Sequence, residues 1–511
     1  MDPRTRLSLI LVTILIIPVS ITEVGSVHTS FEAISNNTLT RAPSFVNVSV
    51  EAGLSGYRGD NLAWGDYNND GYLDLLVRGP SSNYLFRNNG PPDWDFTDVS
   101  DDTGVNITRG YSQWADYNSD GYLDFYTAGD DDHLFRNNGP PNWDFTDVTS
   151  SAGNPSDDLP TEGTAWGDYN RDGYPDIFTV GWRKPGDLQW PYAGEMDRLY
   201  RNNGDGTFSD VSISAGLEPR ATSYAGMGVV WCDPNEDGWP DIYVSNYHLN
   251  PNQLWINNRD GTFTDKAFEY NLTGKATDYQ GNTYYGHCNG AGWADFDNDQ
   301  DMDVWVSHLA HKDDERSGMN RGYYCADSQL FENSGPPYLN FTDIRVQAGI
   351  PITPSGTIVQ DPDTGDYMWK DEDYFGIAWG DYENDGDLDI WVPQVKTYSF
   401  WDHSYLWEND GDSTFSDRTD ASNLKVWSNT GGTFVDYDND GDLDFCTEGT
   451  YPYKGPRELH LFNNPGNSNH WLELDLKGEG GPDQTSTDAT GTKVVLKSGD
   501  LTLTRYVGGD C

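Results

Sequence analysis

The sequence is poor in basic residues and in cysteine, and each shortage excludes a class of protein. Only 31 of the 511 residues are Lys or Arg, against 83 Asp or Glu, which gives a formal net charge of −52. Nucleic acid and anionic membranes repel a chain this acidic, so we expect neither as a partner. The five cysteines include no CxxC pair, which excludes the usual zinc and thiol-redox motifs. No G-x-S-x-G or H-E-x-x-H signature occurs, and we therefore predict that the protein is not an enzyme.

Long apolar runs are also scarce, and the one that occurs is at the N-terminus. Leu7 to Ile17 is apolar and follows Arg4 and Arg6. This pattern predicts a secretory signal peptide over residues 1–24 and a flexible leader over 25–43; an uncleaved N-terminal anchor is the alternative. No other segment approaches the roughly twenty apolar residues that a transmembrane helix needs. We expect a secreted protein, extracellular or at a cell surface, with no membrane span beyond such an uncleaved signal.

What the sequence has in abundance is aspartate and aromatic residues. Aromatic residues make up 14% of the chain, which is too many for a disordered acidic protein. Of the 83 acidic residues, 66 are Asp and 17 are Glu. A generally acidic surface would use Glu as freely, so the bias indicates turns and cation-binding loops.

A nine-residue aspartate motif recurs seven times. The first copy, D-Y-N-N-D-G-Y-L-D, begins at Asp66, and we number the copies loops 1 to 7. The later copies begin at Asp116, Asp168, Asp233, Asp295, Asp381 and Asp436. An aromatic residue precedes each loop by two positions, and an apolar run, an L-F-x-N-like segment and an F-x-D or F-x-N segment generally follow. Four short β-segments per repeat are typical of a β-propeller blade.

The number of segments indicates a closed ring. Only six F-x-D segments follow the loops, and the seventh, around Phe45, precedes loop 1. We therefore predict an all-β fold: a seven-bladed β-propeller over residues 44–466, closed by the N-terminal strand and followed by a small β-rich module at 467–511. Closure would remove exposed sheet edges. A linear solenoid is the alternative, and it would not explain the displaced Phe45 segment.

The loop composition predicts calcium sites. Asp-Gly alone favours a hairpin turn, but it does not explain oxygen side chains at positions 1, 3, 5 and 9 in seven copies. Such hard ligands suit Ca²⁺ better than the stricter octahedron of Mg²⁺, and the flanking strands differ from an EF-hand. Loops 5 to 7 offer four carboxylates each, so we expect the strongest binding there. Gln300 replaces the glycine of loop 5 and must adopt a strained or altered turn. The predicted ligands are Asp66, Asn68, Asp70, Asp74, Asp116, Asn118, Asp120, Asp124, Asp168, Asn170, Asp172, Asp176, Asp233, Asn235, Asp237, Asp241, Asp295, Asp297, Asp299, Asp303, Asp381, Glu383, Asp385, Asp389, Asp436, Asp438, Asp440 and Asp444.

These repeats resemble the FG-GAP/VCBS family, which also builds the propeller of integrin α-subunits. The D-x-[DN]-x-D-G-x-x-D loops carry the resemblance over about 420 residues, with Glu383 and Gln300 as departures. The tail, from N-H-W-L-E-L-D-L-K-G at Asn469, resembles the start of the ASPIC/UnbV module of proteins similar to cartilage acidic protein. The resemblance implies calcium binding and an extracellular adhesive or recognition role, and it implies no enzymatic activity.

The order of strands places the loops and the long insertions on opposite faces. Turns between strands 1 and 2 lie on the face of the predicted calcium loops, which we call the loop face. Turns between strands 2 and 3, and connections between blades, lie on the other face, which we call the insertion face. Four long insertions fall there: Gly181–Asp197, Ser307–Ser328, Lys266–Gly290 and Arg345–Tyr374. Because Cys288 and Cys325 both belong to this face of blade 5, we predict a disulfide between them.

The insertions also carry side chains suited to binding. The aromatic ones are Trp182, Trp190, Tyr192, Tyr284, Tyr285, Tyr323, Tyr324 and Trp369. The histidines are His287, His308 and His311. Exposed aromatic rings suit a carbohydrate or protein ligand, although the same rings can simply pack the loops down. The histidines are compatible with a second metal or a catalytic site, but scattered loop histidines usually form neither.

Three functions are compatible with the sequence. The first is a secreted, calcium-rigidified adhesion or recognition scaffold that binds an extracellular protein or carbohydrate on the insertion face. The second is an extracellular propeller enzyme acting on polysaccharide, which would need an acid–base or nucleophile–base pair in a pocket. The third is a structural surface or matrix protein, which would associate with itself in a calcium-dependent manner.

Overall fold

The structure is a computed structural model. It describes residues 13–17, 23–29, 44–107, 110–156, 160–182, 196–217, 224–279, 282–309, 327–353, 357–360, 367–370, 372–395, 403–452, 455–467, 469, 471–477, 493–498 and 501–506.

Seven four-stranded antiparallel sheets follow one another along the chain and form the blades of a β-propeller. The strands of blades 1 to 3 are Leu62–Gly65, Asp74–Arg78, Asn83–Asn88 and Phe96–Asp98; Gly110–Ala115, Asp124–Gly129, His133–Asn137 and Phe145–Asp147; and Thr161–Gly167, Asp176–Gly181, Arg198–Asn202 and Phe208–Asp210. The strands of blades 4 and 5 are Gly226–Cys232, Asp241–Asn246, Gln253–Asn257 and Phe263–Asp265; and His287–Ala294, Asp303–Leu309, Gln329–Asn333 and Phe341–Asp343. The strands of blades 6 and 7 are Ala378–Gly380, Asp389–Val392, Tyr405–Asn409 and Phe415–Asp417; and Gly432–Val435, Asp444–Thr450, Arg457–Asn463 and the N-terminal Val46–Asn47.

The N-terminal strand closes the ring, as predicted. Val46 pairs with Asn463 and Asn47 with Phe462, which makes this strand the outermost of blade 7. Phe45 is 1% exposed and packs 5.8 Å, between ring centroids, from Tyr382 of blade 6. The seven-bladed propeller is therefore confirmed, and the linear solenoid is wrong.

The hydrophobic core lies between neighbouring blades, and the aromatic residue before each loop is part of it. The indole nitrogens of Trp114 and Trp166 each donate a hydrogen bond to a carbonyl of the preceding blade, at 3.1 Å. Strand 2 of each blade is buried on both faces because it lies inside the sheet and between two blades, as in Asp74–Arg78. This explains why the apolar runs after the loops are nearly continuous.

Other regular elements are few among the described residues. The helices are short, Ser100–Thr103, Thr419–Ser422 and the 3₁₀ turn Val105–Ile107. Two insertions form hairpins, Ala276–Tyr279 with Asn282–Tyr285 and Thr357–Gln360 with Tyr367–Lys370. In the part of the chain that the structure describes, no helix has the length and apolar character to cross a membrane.

A β-rich C-terminal module follows the propeller, as expected. Lys493–Ser498 pairs with Leu501–Tyr506, and Leu472–Lys477 forms a separate ladder. Both ladders include N-terminal strands: Thr13–Ile17 pairs with Lys493–Ser498, and Glu23–Thr29 pairs with Leu472–Lys477. The signal peptide and the ASPIC/UnbV assignment both stay predictions.

The predicted disulfide is not formed. Cys288 is a free thiol, 1% exposed, and burial raises its pKa to about 11. It lies within strand 1 of blade 5, where its side chain packs into the core shared with blade 4, beside Val230 and Tyr243. Its Sγ is 3.8 Å from the carbonyl oxygen of Gly290. Cys325 lies outside the described residues.

Candidate metal centre

Each aspartate loop folds around the oxygens of its own side chains. In loop 1, Asp66 accepts hydrogen bonds from the backbone N–H groups of Asp70 at 3.0 Å and Gly71 at 2.8 Å. The amide oxygen of Asn68 accepts a second bond from Asp70 N–H at 2.9 Å. Loops 2, 3 and 4 repeat these bonds with the same residue types. The wrapping that the motif predicts is therefore present, with Gly71 at a φ of 88°.

The carboxylate at position 9 is almost completely buried in every loop, at 0 or 1% exposed. Asp74 begins strand 2 of blade 1 and is 0% exposed. Its Oδ1 accepts a hydrogen bond from Asn88 N–H at 2.8 Å, while its Oδ2 is buried with no hydrogen-bond partner among the described residues. Burial raises the pKa of Asp74 to about 9, and Asp70 and Asp66 raise it further by repulsion. A buried ionised carboxylate is costly, so this group either holds a proton or accepts a cation.

A recurring asparagine joins each loop to its neighbour, a role that was not predicted from the sequence. The seven asparagines end or follow strand 3 of each blade: Asn88, Asn137, Asn202, Asn257, Asn333, Asn409 and Asn464. Each backbone N–H donates to the position-9 carboxylate of its own blade at 2.7 to 2.9 Å. Each side-chain amide donates to the position-2 carbonyl of the preceding loop at 2.8 to 3.2 Å. In the sequence, the recurrence of this asparagine in every N-N-G-like segment was the signal that could have indicated its role.

Removing one of these asparagines is expected to destabilise the propeller. Asn137 donates to the carbonyls of Tyr67 at 2.9 Å and Leu123 at 3.1 Å, and accepts from Gly139 N–H at 2.9 Å. Asn137→Ala deletes these bonds and leaves buried backbone groups unpaired, which costs about 1–3 kcal/mol for each group left unsatisfied. Urea unfolding measures the change. The adjacent, exposed Asn138 provides the matched control, and an equal loss in Asn138→Ala would contradict the prediction.

Loops 5 and 7 bring three carboxylates together. In each, the ligand atoms of positions 1, 3 and 9 lie within 4.8 Å of one another; the residues are Asp295, Asp297 and Asp303, and Asp436, Asp438 and Asp444. Buried oxygens of Asp295 and Asp438 have no hydrogen-bond partner among the described residues. Desolvation and the neighbouring acids raise the pKa of Asp297 to about 6 and that of Asp438 to about 7.

Loop 6 does not form so tight a cluster among the described residues, although it carries the same number of acids. Burial, followed by repulsion from Glu408, raises the pKa of Glu383 to about 9, and its Oε2 is buried with no hydrogen-bond partner among the described residues. Glu408 is held by Tyr382 Oη at 2.7 Å and by Arg418 Nη2 at 2.7 Å.

Gln300 adopts the predicted strained turn in loop 5. Its φ of 84° lies in the region that glycine occupies in the other loops. Its N–H donates to Asp295 Oδ2 at 3.2 Å, whereas the equivalent bonds of the other loops are 2.8 to 2.9 Å. Loop 5 therefore adopts the same turn as the other loops, but its hydrogen bond from the position-6 N–H to the position-1 carboxylate is longer.

Taken together, the loops offer only oxygen donors, several of them buried and unpaired among the described residues. Hard divalent cations prefer such ligands, and no thiolate or imidazole belongs to the loops to favour a softer metal. The chemistry available at this face is cation binding that fixes the turn between strands 1 and 2.

The insertion face carries part of the predicted aromatic set. Trp182, Tyr284, Tyr285 and His287 are half-buried. The side chain of Trp369 is not described, and Trp190, Tyr192, Tyr323, Tyr324 and His311 lie outside the described residues. His308 was predicted to belong to the insertion Ser307–Ser328, but it lies within strand 2 of blade 5 and is 1% exposed.

Two residues that were not predicted from the sequence join this face. Tyr247 and His248 follow strand 2 of blade 4, and both are half-buried. The ring of Tyr247 lies 4.4 Å from that of His287 and 5.5 Å from that of Trp182, between centroids. His248 lies 5.1 Å from Trp182. We call these four rings, contributed by blades 3, 4 and 5, the aromatic cluster.

Comparisons with known proteins identify the repeats as FG-GAP-like. The model of the FG-GAP-like repeat family matches residues 66–127, 116–179, 187–244 and 233–306. Cartilage acidic protein 1 of Xenopus tropicalis is 30% identical over 118 residues, a match that covers 22% of this chain and 16% of that protein.

Solved structures similar to this one include three of low sequence identity. A lectin of Agrocybe aegerita that recognises non-reducing terminal N-acetylglucosamine has a TM-score of 0.41 at 15% identity, covering 86% of this chain and 96% of its own. The rhamnogalacturonan lyase YesW has a TM-score of 0.39 at 12% identity, covering 81% and 73%. The V. cholerae biofilm matrix protein Bap1 has a TM-score of 0.36 at 10% identity, covering 87% and 92%. From the matched repeats and the observed blades, this chain contains FG-GAP-like repeats that form a seven-bladed β-propeller.

Proposed function

We propose that the protein is an extracellular calcium-binding scaffold that recognises a protein or carbohydrate ligand on its insertion face. The observation that carries this proposal is the separation of two kinds of surface. The seven aspartate loops lie on the loop face, several of them with buried carboxylate oxygens that are unpaired among the described residues. The aromatic cluster lies on the other face, together with the described ends of the long insertions.

Calcium fits the loops through their own side chains. The residues at positions 1, 3, 5 and 9 would hold the ion, and position 7 would add its backbone carbonyl. The bound ion would supply positive charge to carboxylates that otherwise repel one another. It would also fix each hairpin, so that strands 1 and 2 present the opposite face rigidly.

The aromatic cluster is suited to recognition. Half-buried rings offer a large contact area with little side-chain entropy to lose, and the net charge of −52 disfavours anionic partners. A protein surface or a sugar ring can stack on such rings. Adhesion to such a ligand would follow from display of this face outside the cell.

A binding array with and without calcium tests the proposal. Immobilised glycans and extracellular protein domains are probed with the full chain, with Trp182→Ala/Tyr247→Ala, and with Tyr72→Ala. Tyr72 is the matched control because it belongs to an aromatic pair on the loop face, 5.3 Å from Trp94. We expect the double variant to lose about 10-fold or more in affinity and the control to bind normally. The proposal would be contradicted if Tyr72→Ala lost affinity and the double variant did not.

One observation favours an enzyme acting on polysaccharide as a second candidate. The guanidinium carbon of Arg78 lies 3.9 Å from the ring centroid of Tyr111, and its Nε lies 3.5 Å from Asp60 Oδ1. Strand order places all three at the insertion-face ends of blades 1 and 2. A turnover assay on a panel of polysaccharides, with Arg78→Ala as the inactive comparison, distinguishes this candidate from simple binding.

The pKa shifts predict a pH dependence for the calcium-free protein. Burial raises the pKa of Asp74 and of Asp241 to about 9, whereas unfolded aspartate titrates near 3.9. The folded state therefore binds protons more tightly, and stability falls as pH rises from about 4 towards 9. In chelator, we expect a higher urea midpoint at pH 5 than at pH 8. Calcium is expected to stabilise the protein less at pH 5 than at pH 8, because protons compete with the ion for the same oxygens. Greater stability of the chelated protein at pH 8 would refute this.

A further inference from the structure

Position 4 of the aspartate loops forms a second set of links around the ring. All seven position-4 residues have φ between 53° and 60°. Four are asparagines whose amides donate to the position-6 carbonyl of that loop: Asn69 to Gly121 at 2.9 Å, Asn298 to Gly386 at 3.4 Å, Asn384 to Gly441 at 3.1 Å and Asn439 to Gly71 at 3.0 Å. We call these the inter-loop hydrogen bonds.

The junction of loops 4 and 5 cannot form this bond directly. Its position-4 residue is Glu236, and a carboxylate has no proton to donate to a carbonyl. Lys493, the first residue of the strand Lys493–Ser498 in the C-terminal module, lies between the two loops. Its Nζ is 2.6 Å from Glu236 Oε1 and 3.1 Å from the carbonyl oxygen of Gln300, which is position 6 of loop 5. The ammonium group thus supplies the donor that Glu236 lacks.

We propose that the loop face of blades 4 to 7 is a docking surface for the chain's own C-terminal module, and that Lys493 is the residue that selects the junction of loops 4 and 5. An ammonium group has three donors and no acceptor, so it satisfies a carboxylate and a carbonyl at once. None of the other six loops places a glutamate at position 4. The junction is therefore the one place on the ring where the position-4 side chain has no donor of its own.

Two further contacts extend the docking surface towards loops 6 and 7. The amide of Asn469 donates to the Glu383 carbonyl at 2.8 Å. The Trp471 ring packs directly on Gly441 of loop 7 and occupies the space that a Cβ there would need. Together with Lys493, these residues bring the module into contact with loops 4 to 7.

The docking surface joins two parts of one chain, and its contacts do not involve the insertion face or a ligand bound there. Loops 4 to 7 are in contact with the module, so an outside partner of the loop face would have access mainly to loops 1 to 3.

Hydrogen exchange of the full chain, with calcium present, tests the proposal. In Lys493→Ala we expect amides of the strands 493–498 and 501–506 to exchange about 10-fold faster, because one charge-assisted hydrogen-bond pair is lost. Exchange within blade 2 reports that the propeller itself stays folded. Lys425→Ala, which removes an exposed ion pair with Asp420, should leave the module unchanged.

Charge reversal distinguishes docking by this pair from a general loss of positive charge. Glu236→Lys and Lys493→Glu should each accelerate exchange in the module. The double variant should restore protection, because the exchanged lysine can then donate both to the exchanged glutamate and to the Gln300 carbonyl. Unchanged exchange in Lys493→Ala, or strictly additive effects of the two reversals, would overturn the proposal.

Discussion

Removing calcium is expected to lower the melting temperature of the protein by on the order of 20 °C. Free calcium at 100 times the dissociation constant stabilises a single site by about 2.7 kcal/mol, and the propeller offers seven. The unfolding entropy of a propeller of this size then converts the summed effect into a shift of that order. Seven divalent cations would also offset 14 of the 52 net negative charges and reduce self-repulsion.

Calorimetry in calcium, in magnesium and in chelator measures the effect and its ion specificity. Magnesium at the same concentration should restore little, since it requires a stricter octahedral geometry. Asp436→Asn and Asp303→Asn weaken single loops that contain a three-carboxylate cluster, so each should reduce the calcium-dependent shift by a fraction of the whole. Equal melting temperatures in calcium and in chelator would show that the loops are acidic turns without a structural ion.

Much of the fold was predictable because the sequence repeats. One aspartate loop is an ambiguous turn, but seven of them define the blades, and the displaced Phe45 segment predicts how the ring closes. The structure places Val46–Asn47 in blade 7, where that argument requires it. The strain at Gln300 was likewise predictable, since only glycine adopts its φ of 84° readily.

The sequence-based predictions were wrong, or missed a contact, where the direction of a side chain or a contact between distant residues determines the structure. Cys288 and Cys325 were paired because both belong to one face of blade 5, yet Cys288 lies within a strand and its side chain packs between blades 4 and 5. His308 lies in strand 2 of blade 5, next to the strand of Cys288, and its side chain is also buried because it belongs to a strand and not to a loop. The contact of Lys493 with Glu236 joins residues 257 positions apart, and nothing local in the sequence indicates it.

The candidate site was predicted in part. Positions 1, 3 and 9 converge in loops 5 and 7, as the spacing indicates. The role of Asn137 and its equivalents was missed because asparagine in N-N-G is also a common turn residue, and the recurrence alone does not say which groups it bonds. Only the ring geometry brings that amide to the carbonyl of the preceding loop.

A large single-residue effect is also expected at Arg345, which begins the insertion between blades 5 and 6. Its guanidinium donates to both carboxylate oxygens of Glu372, at 2.7 and 2.8 Å, and the two side chains are 1% and 2% exposed. It also donates to the carbonyl of Ser328 at 2.8 Å, while Glu372 accepts from Thr353 N–H at 2.6 Å. The pair therefore holds both ends of the insertion against blade 5.

Arg345→Ala is expected to destabilise the protein by about 3–5 kcal/mol, because it leaves the Glu372 carboxylate buried without a counter-charge. Urea unfolding in saturating calcium measures this loss separately from the metal sites. Replacing both partners, in Arg345→Met/Glu372→Leu, should cost less than either single change, since no buried charge remains. Lys425→Ala removes an exposed ion pair and should cost at most about 1 kcal/mol. If the double variant were less stable than Arg345→Ala, the buried charge would not be the cause, and the lost hydrogen bonds to Ser328 and Thr353 would account for the effect instead.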